Sequence, residues 1–485
     1  MNGPVRRLSI ALFAGFFVLL AAVTWFQVIH ADSLKADPRN PRPALSERGK
    51  ERGLIVTIDG EVVAQSVEDP EDPRSFARLY PGGEAFAHVV GYNSFIVGDS
   101  ALENAYAPEL RSRRDLTISD LIAVMLGRDL RPQSLEITVD SDLQTAAYQA
   151  LAGQTGAIVA LDPSSGAILA AVSSPSFDPE ALLGADAAEV WDALLADPAS
   201  PLSDRATREI FAPGSSFKTV VTATALDTGD AGPETKFPDP VAFQLPGSTA
   251  TISNANERVC NDGVSVTLLR AFVRSCNTIF ADLSVRLGAD DIGITAEAMG
   301  FNRDIPFPWF VPHAVFPVDE LRNDPAALAQ SGIGERDVRA TPLHMAMVAA
   351  SVANGGITPT PFLVSRIFDA DGKTVEQIET AALGRAMAPA TASVLGQMME
   401  RVVTEGTGRL AAVPGVRVAG KTGTSQGPDG LPNPWFIGFA PVENPTIAIA
   451  VLIEGGGSVG DSASGGSVAA PIASELISLW MGVGP

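Results

Sequence analysis

The hydrophobic pattern opens with one long apolar run close to the N-terminus. Leu8 to Ile29 contains no charged residue, and Arg6 and Arg7 precede it. About 20 apolar residues suffice to cross a bilayer, whereas a cleaved signal peptide has a shorter apolar core. The pattern therefore predicts a retained membrane anchor rather than a buried core helix, and the two arginines predict a cytoplasmic N-terminus. Residues from about Ala31 onward would then lie outside the cytoplasm.

A proline-rich stretch and a short alternating segment follow the anchor. Residues 37–43 carry three prolines, which is typical of an extended stalk. Apolar residues on both sides of Asp59-Gly60 predict a β-hairpin. The rest of this region shows no cluster of catalytic side chains. We therefore expect a cytoplasmic stub and membrane anchor over residues 1–30 and a small non-catalytic extracytoplasmic module over residues 31–135.

The remainder of the chain alternates between apolar strands and apolar helices. Asp140 or Ser141 would cap the first of these helices. Residues 156–172 contain two apolar segments about a turn, rich in small and β-branched residues, as strands buried on both faces are. Residues 435–454 predict two further antiparallel strands. The pattern predicts a second, larger domain over residues 136–485.

One stretch of this domain combines a hydroxyl group with an amine at helical spacing. Pro213-Gly214 is a turn signal, and the small and apolar residues that follow predict a buried helix. Ser215 would lie in the first helical turn with Lys218 one turn further, and residues three apart on a helix are neighbours. The helix N-terminus adds unpaired N–H groups and a partial positive charge, which favour negative charge on the serine oxygen.

The composition of the chain points to Lys218 as the base for Ser215. A serine hydroxyl is a weak nucleophile until a base takes its proton. The four histidines lie outside any recognisable triad context, and arginine does not deprotonate in proteins. Lysine can act when burial or a neighbouring cation lowers its pKa. Ser-x-x-Lys occurs once in the chain, although a chance match is the alternative for so short a motif.

A polar triplet, Ser275-Cys276-Asn277, interrupts an otherwise helical run. As a functional motif, it would let Ser275 relay a proton and Asn277 hydrogen-bond a substrate amide. An ordinary helix end would have the same appearance, so the triplet alone leaves both interpretations open.

A glycine-flanked lysine follows an alternating strand near the C-terminus. Lys421 would supply positive charge beside Lys218 and help keep it deprotonated. Gly423 lets another backbone approach closely, so a peptide substrate could add itself to this edge by β-augmentation. Thr422 and Thr424 offer hydroxyl groups to a carboxylate. The alternative is a glycine-rich hairpin corner without a catalytic role.

The three motifs, in this order, resemble the active-site set of penicillin-binding proteins and serine β-lactamases. The anchor, Arg52-Gly53-x-Ile55 and residues 156–163 and 435–441 look like a class B penicillin-binding protein, with Ala101-Leu102-Glu103 where Gly-Leu-Glu is usual. The resemblance implies an α+β fold. A transpeptidase domain with an antiparallel sheet flanked by helices, plus an all-helical part, would follow a small mixed module and one transmembrane helix.

The same resemblance implies a membrane-anchored peptidoglycan D,D-transpeptidase that β-lactams acylate. Ser215 would attack the D-Ala-D-Ala carbonyl, Lys218 would be its general base, and Ser275 would pass the proton to the leaving D-alanine. Backbone N–H groups of Ser215 and Thr424 would form the oxyanion hole. The implied catalytic residues are Ser215, Lys218, Ser275 and Lys421, and the implied substrate-binding and oxyanion residues are Asn277, Thr422, Gly423 and Thr424.

The resemblance also implies partners, namely peptidoglycan stem peptides, the cell-wall synthesis machinery and the membrane, and it implies no cofactor. A D,D-carboxypeptidase and an inert scaffold of that machinery stay open as alternatives. A β-lactamase would need a dedicated deacylating base, and a Glu-x-x-x-Asn context is not evident. A β-lactam sensor would need a signalling region larger than the seven residues before the anchor.

The cysteine count and the net charge bear on three further properties, namely a disulfide, a metal site and nucleic-acid binding. Cys260 and Cys276 are the only cysteines. Outside the cytoplasm an even count favours a disulfide, so we predict a Cys260–Cys276 bridge rather than two free buried thiols. No Cys/His spacing suits zinc, and we expect no metal site. The formal net charge of −22 argues against nucleic-acid binding.

Overall fold

The computed structural model describes residues 2–30, 33–34, 49–69, 75–111, 131–151, 153–427 and 430–484, with Asn2 and Asn256 described by their backbone alone. The chain separates into two compact units. One comprises residues 1–51 with 67–77, and the other comprises residues 52–66 with 78–485.

The first unit contains one long apolar helix, α1 (Asn2–Thr24), which continues as a π-helical turn over Trp25–Ile29. The most apolar 18-residue window within Gly3–Ile29 has a mean hydropathy of 2.3, and none of that window is buried. A helix of this length and composition is able to cross a membrane.

The strands within the described residues have two to nine residues each. They are β1 (Ile55–Val56), β2 (Val62–Glu68), β3 (Phe76–Leu79), β4 (Asn93–Ser94), β5 (Gly98–Asp99), β6 (Ser134–Ile137), β7 (Gly156–Leu161), β8 (Ile168–Ser174), β9 (Lys236–Pro238), β10 (Ala242–Gln244), β11 (Thr251–Ser253), β12 (Ser265–Thr267), β13 (Ile357–Pro359), β14 (Val364–Phe368), β15 (Thr374–Gln377), β16 (Ala382–Arg385), β17 (Ala419–Gln426), β18 (Pro432–Ala440) and β19 (Ile447–Ile453).

Helices of the second unit lie between and around these strands. They are α2 (Gly83–Val90), α3 (Ala101–Ala105), α4 (Ala107–Leu110), α5 (Ser141–Ala150), α6 (Ala187–Ala196), α7 (Lys218–Thr228), α8 (Leu268–Arg274), α9 (Asn277–Ala298, kinked at Gly288), α10 (Val318–Leu321), α11 (Pro325–Ser331), α12 (Pro342–Ala353), α13 (Pro389–Glu405) and α14 (Ala470–Trp480).

The first sheet is mixed and has the strand order β15-β14-β6-β1-β2-β3. β1 and β2 form the hairpin that the apolar residues around Asp59-Gly60 predicted. β1 also pairs in parallel with β6, and β14 pairs antiparallel with β6 from much later in the chain. Strands from distant parts of the sequence therefore share one sheet.

The second sheet is antiparallel throughout, in the order β17-β18-β19-β7-β8. Every residue of β7, β8 and β19 is buried, as the predicted two-sided burial requires. Successive residues along β7 belong to two different hydrophobic clusters, because side chains alternate between the faces of a sheet. β17 is an outer strand of this sheet.

Helices cover both faces of the antiparallel sheet. α12 contributes Leu343 and Met345 to the cluster on one face, while α5 and α14 contribute Leu143 and Leu476 to the cluster on the other. α5 begins as predicted, because the Asp140 carboxylate accepts a hydrogen bond from the Leu143 N–H at 2.9 Å. A separate group of helices, α7 to α11, carries or adjoins two of the three motifs, and the turn Gly214–Phe217 directly before α7 packs against the outer strand β17.

Candidate active site

Ser215 stands in a tight turn directly before a buried helix. Gly214–Phe217 form one 3₁₀ turn, and α7 begins at Lys218. We expected Ser215 in the first α-helical turn, but the N-terminal turn has tightened to 3₁₀ geometry, which is frequent at helix N-termini. Ser215 is half-buried, whereas Lys218 is fully buried.

This turn lies backbone to backbone against β17. A Cβ atom on Gly423 would lie 2.6 Å from the Pro213 carbonyl oxygen and 3.0 Å from the Ser216 nitrogen. Such distances leave room only for glycine. The close approach at Gly423 is thus made by the chain's own Gly214–Phe217 turn, which brings Ser215 next to β17.

Lys218 is held by the Ser275-Cys276-Asn277 triplet. Its Nζ donates to the Ser275 carbonyl oxygen at 2.8 Å and to Asn277 Oδ1 at 2.7 Å, and it lies 3.4 Å from Ser275 Oγ. The ring of Phe280 lies on another side, 5.4 Å from Nζ. A lysine three residues after Ser215 and a triplet about sixty residues later in the chain are therefore in direct contact.

Lys421 approaches the same serine from β17. Its Nζ donates to Ser275 Oγ at 2.9 Å and to the Thr422 carbonyl oxygen at 2.9 Å. Ser275 Oγ thus bridges the two lysines, which come from different structural elements. The structure brings residues of all three motifs together at this point.

Burial and the like charge of Lys421 lower the pKa of Lys218. Desolvation lowers the pKa of Lys218 well below its usual value, the charge of Lys421 lowers it further, and the charge of Glu335 opposes both. Desolvation lowers the pKa of Lys421 to about 7. The lowered pKa of Lys218 favours its neutral amine, which is the form that is able to accept a proton.

The triplet sits where two helices meet. α8 ends at Arg274, α9 begins at Asn277, and Ser275 between them has a φ of 62°, in the left-handed region. Non-glycine residues in this region are strained and persist where the surrounding structure holds them. The triplet is therefore a helix junction and, at the same time, the hydrogen-bond acceptor of Lys218.

Cys276 forms a disulfide with Cys260, which confirms the predicted bridge. A neighbouring contact ties down the same segment, because Asn277 Nδ2 donates to the Ser253 carbonyl oxygen at 3.0 Å. Both polar ends of the Asn277 amide are thus bonded inside the protein, one to Lys218 and one to Ser253.

The two threonines of β17 differ in exposure. Thr422 is buried and its Oγ1 lies 2.5 Å from Thr407 Oγ1. Thr424 is exposed, and its Oγ1 donates to the Gly423 carbonyl oxygen and accepts from the Gly465 N–H. Of the two hydroxyl groups, the one on Thr424 is open to a ligand.

Sequence reasoning missed Glu335, which lies in the loop between α11 and α12. Burial raises the pKa of its carboxyl group to about 7, while the charges of Arg339 and Lys218 lower it. The glutamate follows Gly334, whose carbonyl oxygen accepts a hydrogen bond from Gly214. No local pattern links this loop to Lys218, so only the fold could reveal that the charge of Glu335 acts on Lys218.

Comparison with known families decides the identity. A family model described as the penicillin-binding protein transpeptidase domain matches residues 156–478, which is more than half of the chain. This chain belongs to the penicillin-binding protein transpeptidase family. A second model, the penicillin-binding protein A dimerisation domain, matches residues 52–135.

Other penicillin-binding proteins align over most of this chain. Peptidoglycan D,D-transpeptidase PbpA of Mycobacterium tuberculosis is 40% identical over 98% of each chain. Peptidoglycan D,D-transpeptidase MrdA of Acinetobacter baumannii is 29% identical over 83% of this chain and 66% of its own. The structure of penicillin-binding protein A from M. tuberculosis, as a ceftriaxone acyl-enzyme, is 38% identical and covers 89% of this chain and 99% of its own, with a TM-score of 0.82.

These findings confirm the predicted class B penicillin-binding family, the α+β fold and the transpeptidase enzyme class. One N-terminal apolar helix agrees with a single membrane anchor in a penicillin-binding protein. The role of each motif residue, the domain boundaries and the orientation of the anchor stay predictions.

Proposed function

We propose that this penicillin-binding transpeptidase cross-links peptidoglycan stem peptides through an acyl-enzyme on Ser215. The observation that carries the proposal is the buried contact of Lys218 and Lys421 with Ser275 Oγ, beside the turn that presents Ser215. Support also comes from relatives named peptidoglycan D,D-transpeptidases. Structures of one such relative are acyl-enzymes of ceftriaxone, imipenem and penicillin G.

Acylation begins when neutral Lys218 takes the proton of the Ser215 hydroxyl group. The Ser215 oxygen attacks the carbonyl carbon that joins two D-alanines of a donor peptide, and backbone N–H groups of Ser215 and Thr424 bind the developing oxyanion. Ser275 relays the proton from Lys218 to the nitrogen of the terminal D-alanine. The C–N bond breaks, D-alanine leaves, and an ester on Ser215 remains.

Transfer of the acyl group repeats these steps in reverse. An acceptor amine attacks the ester carbonyl carbon, loses a proton to Lys218, and forms the new amide. The proton passes to the Ser215 oxygen as its bond to the acyl carbon breaks. β-Lactams would enter as donor mimics and stop at the ester.

Substrate would lie along β17, the outer strand of the antiparallel sheet. An extended donor peptide can pair with such an edge, and the exposed Thr424 hydroxyl group can bind its carboxylate. Asn277 would bind the donor amide after exchanging its present bond to Lys218. Thr422 would act from the buried side, through its contact with Thr407.

The organisation of the chain follows the same proposal. Residues 1–30 would be a cytoplasmic stub and anchor, residues 31–135 an extracytoplasmic module, and residues 136–485 the transpeptidase domain. The arginines before the anchor support a cytoplasmic N-terminus. The module, which the dimerisation family model matches over residues 52–135, would contact the cell-wall synthesis machinery.

Labelling with a fluorescent penicillin tests the proposal. The full chain in detergent, beside Ser215→Ala, is incubated with the probe and the bound fluorescence is followed over hours. We expect a stable covalent label on the wild type and none on Ser215→Ala. Rapid loss of the label would instead indicate a D,D-carboxypeptidase, and no label on the wild type would contradict the proposed nucleophile.

A further inference from the structure

The loop between α11 and α12 is attached to the turn that carries Ser215. The Gly214 N–H donates to the Gly334 carbonyl oxygen at 2.9 Å. A Cβ atom on Gly334 would lie 1.9 Å from the Gly214 carbonyl oxygen, so this contact is also limited to glycine. Glu335 follows Gly334 directly. A backbone contact therefore places the Glu335 backbone beside the turn that carries Ser215.

The backbone on both sides of Glu335 is in the left-handed region. Gly334 has a φ of 80° and Arg336 has a φ of 57°. The conformation of Arg336 is uncommon for a non-glycine residue and costs free energy. The Arg336 guanidinium is exposed and contacts Asp337 and Asp324. In this strained loop, Arg336 is therefore exposed to solvent, whereas its chain neighbour Glu335 is half-buried.

The charges of two residues, on two different elements, act on the ionisation of Lys218. Lys421 acts from β17 and disfavours the ammonium form of Lys218, whereas Glu335 acts from the α11–α12 loop and favours it. The contacts from the helix junction, Ser275 and Asn277, are neutral. The negative charge of Glu335 therefore opposes the effect of Lys421 on the ionisation of Lys218.

Glu335 is not bound to a structural partner. Within the described ranges, its carboxylate makes no hydrogen bond or ion pair, and the charges that act on it are those of Arg339 and Lys218. The Arg339 guanidinium donates instead to the carbonyl oxygens of Arg336 and Val338. A half-buried carboxylate without such a partner is free to change its ionisation.

We propose that Glu335 is a positioning residue for the base of this reaction: its carboxylate favours the ammonium form of Lys218 and thereby sets how far the pH must rise before Lys218 accepts the Ser215 proton. The proposal rests on the proposed role of Lys218 as base. Glu335 acts through that lysine and does not itself contact the bond that breaks.

The ionisation of Glu335 falls in a relevant pH range. Burial raises the pKa of its carboxyl group to about 7, so a change of pH near neutrality alters its charge. Lys218 and Glu335 then titrate as a coupled pair, and the acid limb of the acylation rate belongs to the pair. Removing the carboxylate removes the attraction that holds the proton on Lys218.

The pH dependence of acylation tests this proposal. The rate of labelling by a fluorescent penicillin is measured on the full chain in detergent, for the wild type, Glu335→Gln, Glu335→Ala and Glu335→Asp. We expect both neutral variants to shift the acid limb to lower pH by about one pH unit, which makes them about tenfold faster on that limb. The alkaline plateau should not change, and Glu335→Asp should return the limb towards the wild-type position.

A matched control separates this effect from the general charge of the loop. Asp337→Asn removes one carboxylate two residues away, at an exposed position that contacts Arg336. We expect no shift of the limb for this variant. An equal shift in Asp337→Asn, no shift or an upward shift in Glu335→Gln and Glu335→Ala, or a lowered plateau without a shift would overturn the proposal. Failure of the wild type to label at Ser215 would instead overturn the proposed function.

Discussion

Two buried clusters in this chain each combine two basic side chains with one glutamate, and they behave in opposite ways. In the N-terminal part of the second unit, Glu103 is fully buried and accepts from Arg52 Nε at 2.9 Å and from Arg78 Nε at 2.6 Å. Desolvation raises the pKa of Glu103, but the charges of Arg78 and Arg52 and their hydrogen bonds outweigh it, so the pKa lies below its usual value. This cluster stays ionised.

The active-site cluster consists of Lys218, Lys421 and Glu335. Its two lysines have lowered pKa values and its glutamate has a raised one, each chiefly because of burial. The lysines bond to neutral oxygens of Ser275, Asn277 and Thr422 rather than to the carboxylate. Glu335 and Lys421 can therefore lose or gain a proton near neutral pH, and the lowered pKa of Lys218 favours its neutral amine.

The difference teaches that two features decide whether a buried charge is structural or reactive, namely the type of basic side chain and its direct pairing with a carboxylate. A guanidinium cannot deprotonate and its planar donors match a carboxylate, whereas a buried ammonium changes its pKa readily. A carboxylate in contact with its cations stabilises their charged forms. A carboxylate held without such a contact leaves the cations free to titrate.

Exchanging lysine for arginine in the active-site cluster should have the largest effect. Lys218→Arg places a group that cannot act as a base, so we expect labelling by penicillin to slow about 10²–10⁴-fold. The reciprocal control is Arg78→Lys in the other cluster, which should leave the labelling rate of folded protein unchanged. Labelling of Lys218→Arg at the wild-type rate would show that Lys218 is not the base.

Neutralising the two glutamates should separate the clusters by stability. Glu103→Gln leaves two buried guanidinium groups without their anion, and we expect it to lower the free energy of unfolding by about 3–5 kcal/mol. Glu335→Gln removes a carboxylate that makes no such pair and should change the same quantity by less than about 0.5 kcal/mol. Urea unfolding of the full chain in detergent measures both, and equal losses would remove the distinction between the clusters.

The burial of Lys421 should make the free energy of unfolding depend on pH in the alkaline range. The pKa of Lys421 is about 7 in the folded chain and 10.5 is its usual value, so between these values the unfolded chain binds more protons. Stability then rises with pH across this window, by up to about 1.4 kcal/mol per pH unit for this lysine. Lys421→Met should flatten the rise in a urea titration at several pH values, whereas Lys373→Met, at an exposed lysine, should not.

The pairing of Glu103 with Arg52 and Arg78 should make the free energy of unfolding fall at acid pH. We expect this to be the smallest of the four effects in this comparison. The pKa of Glu103 is lower in the folded chain than its usual value of 4.5, so the unfolded chain binds more protons as the pH falls below that value. The stability that Glu103 contributes is complete above pH 4.5 and is lost as the pH falls through the folded-state pKa. The loss should be below about 1.4 kcal/mol per pH unit. Glu103→Gln should show less of this acid loss than the wild type in thermal unfolding, and an unchanged acid slope would contradict the ionised cluster.

Much of the fold could be predicted because its signals are local. The run from Leu8 to Ile29 forms one apolar helical segment, and Asp59-Gly60 marks a real hairpin. β7 and β19 are apolar along their whole length, as strands buried on both faces require. The pairing of β6 with β14 was not predictable, because more than two hundred residues separate the two strands.

The site was predictable as a set of residues and not as a set of contacts. Three short motifs mark Ser215, Lys218, Ser275 and Lys421, and the cysteine count predicted the Cys260–Cys276 bridge that the structure contains. The left-handed Ser275, the 3₁₀ turn at Ser215 and the presence of Glu335 beside Lys218 have no counterpart in any local pattern.

The amino-acid sequence by itself determined the N-terminal apolar helix, the family, the buried strands and which side chains can do chemistry, because these depend on local composition and on short spacings. Tertiary structure alone decided that Ser275 Oγ lies between two lysines and that the charge of Glu335 acts on Lys218. The physical reason is that a pKa depends on burial and on the charges nearby, and both are set by parts of the chain that meet only after folding.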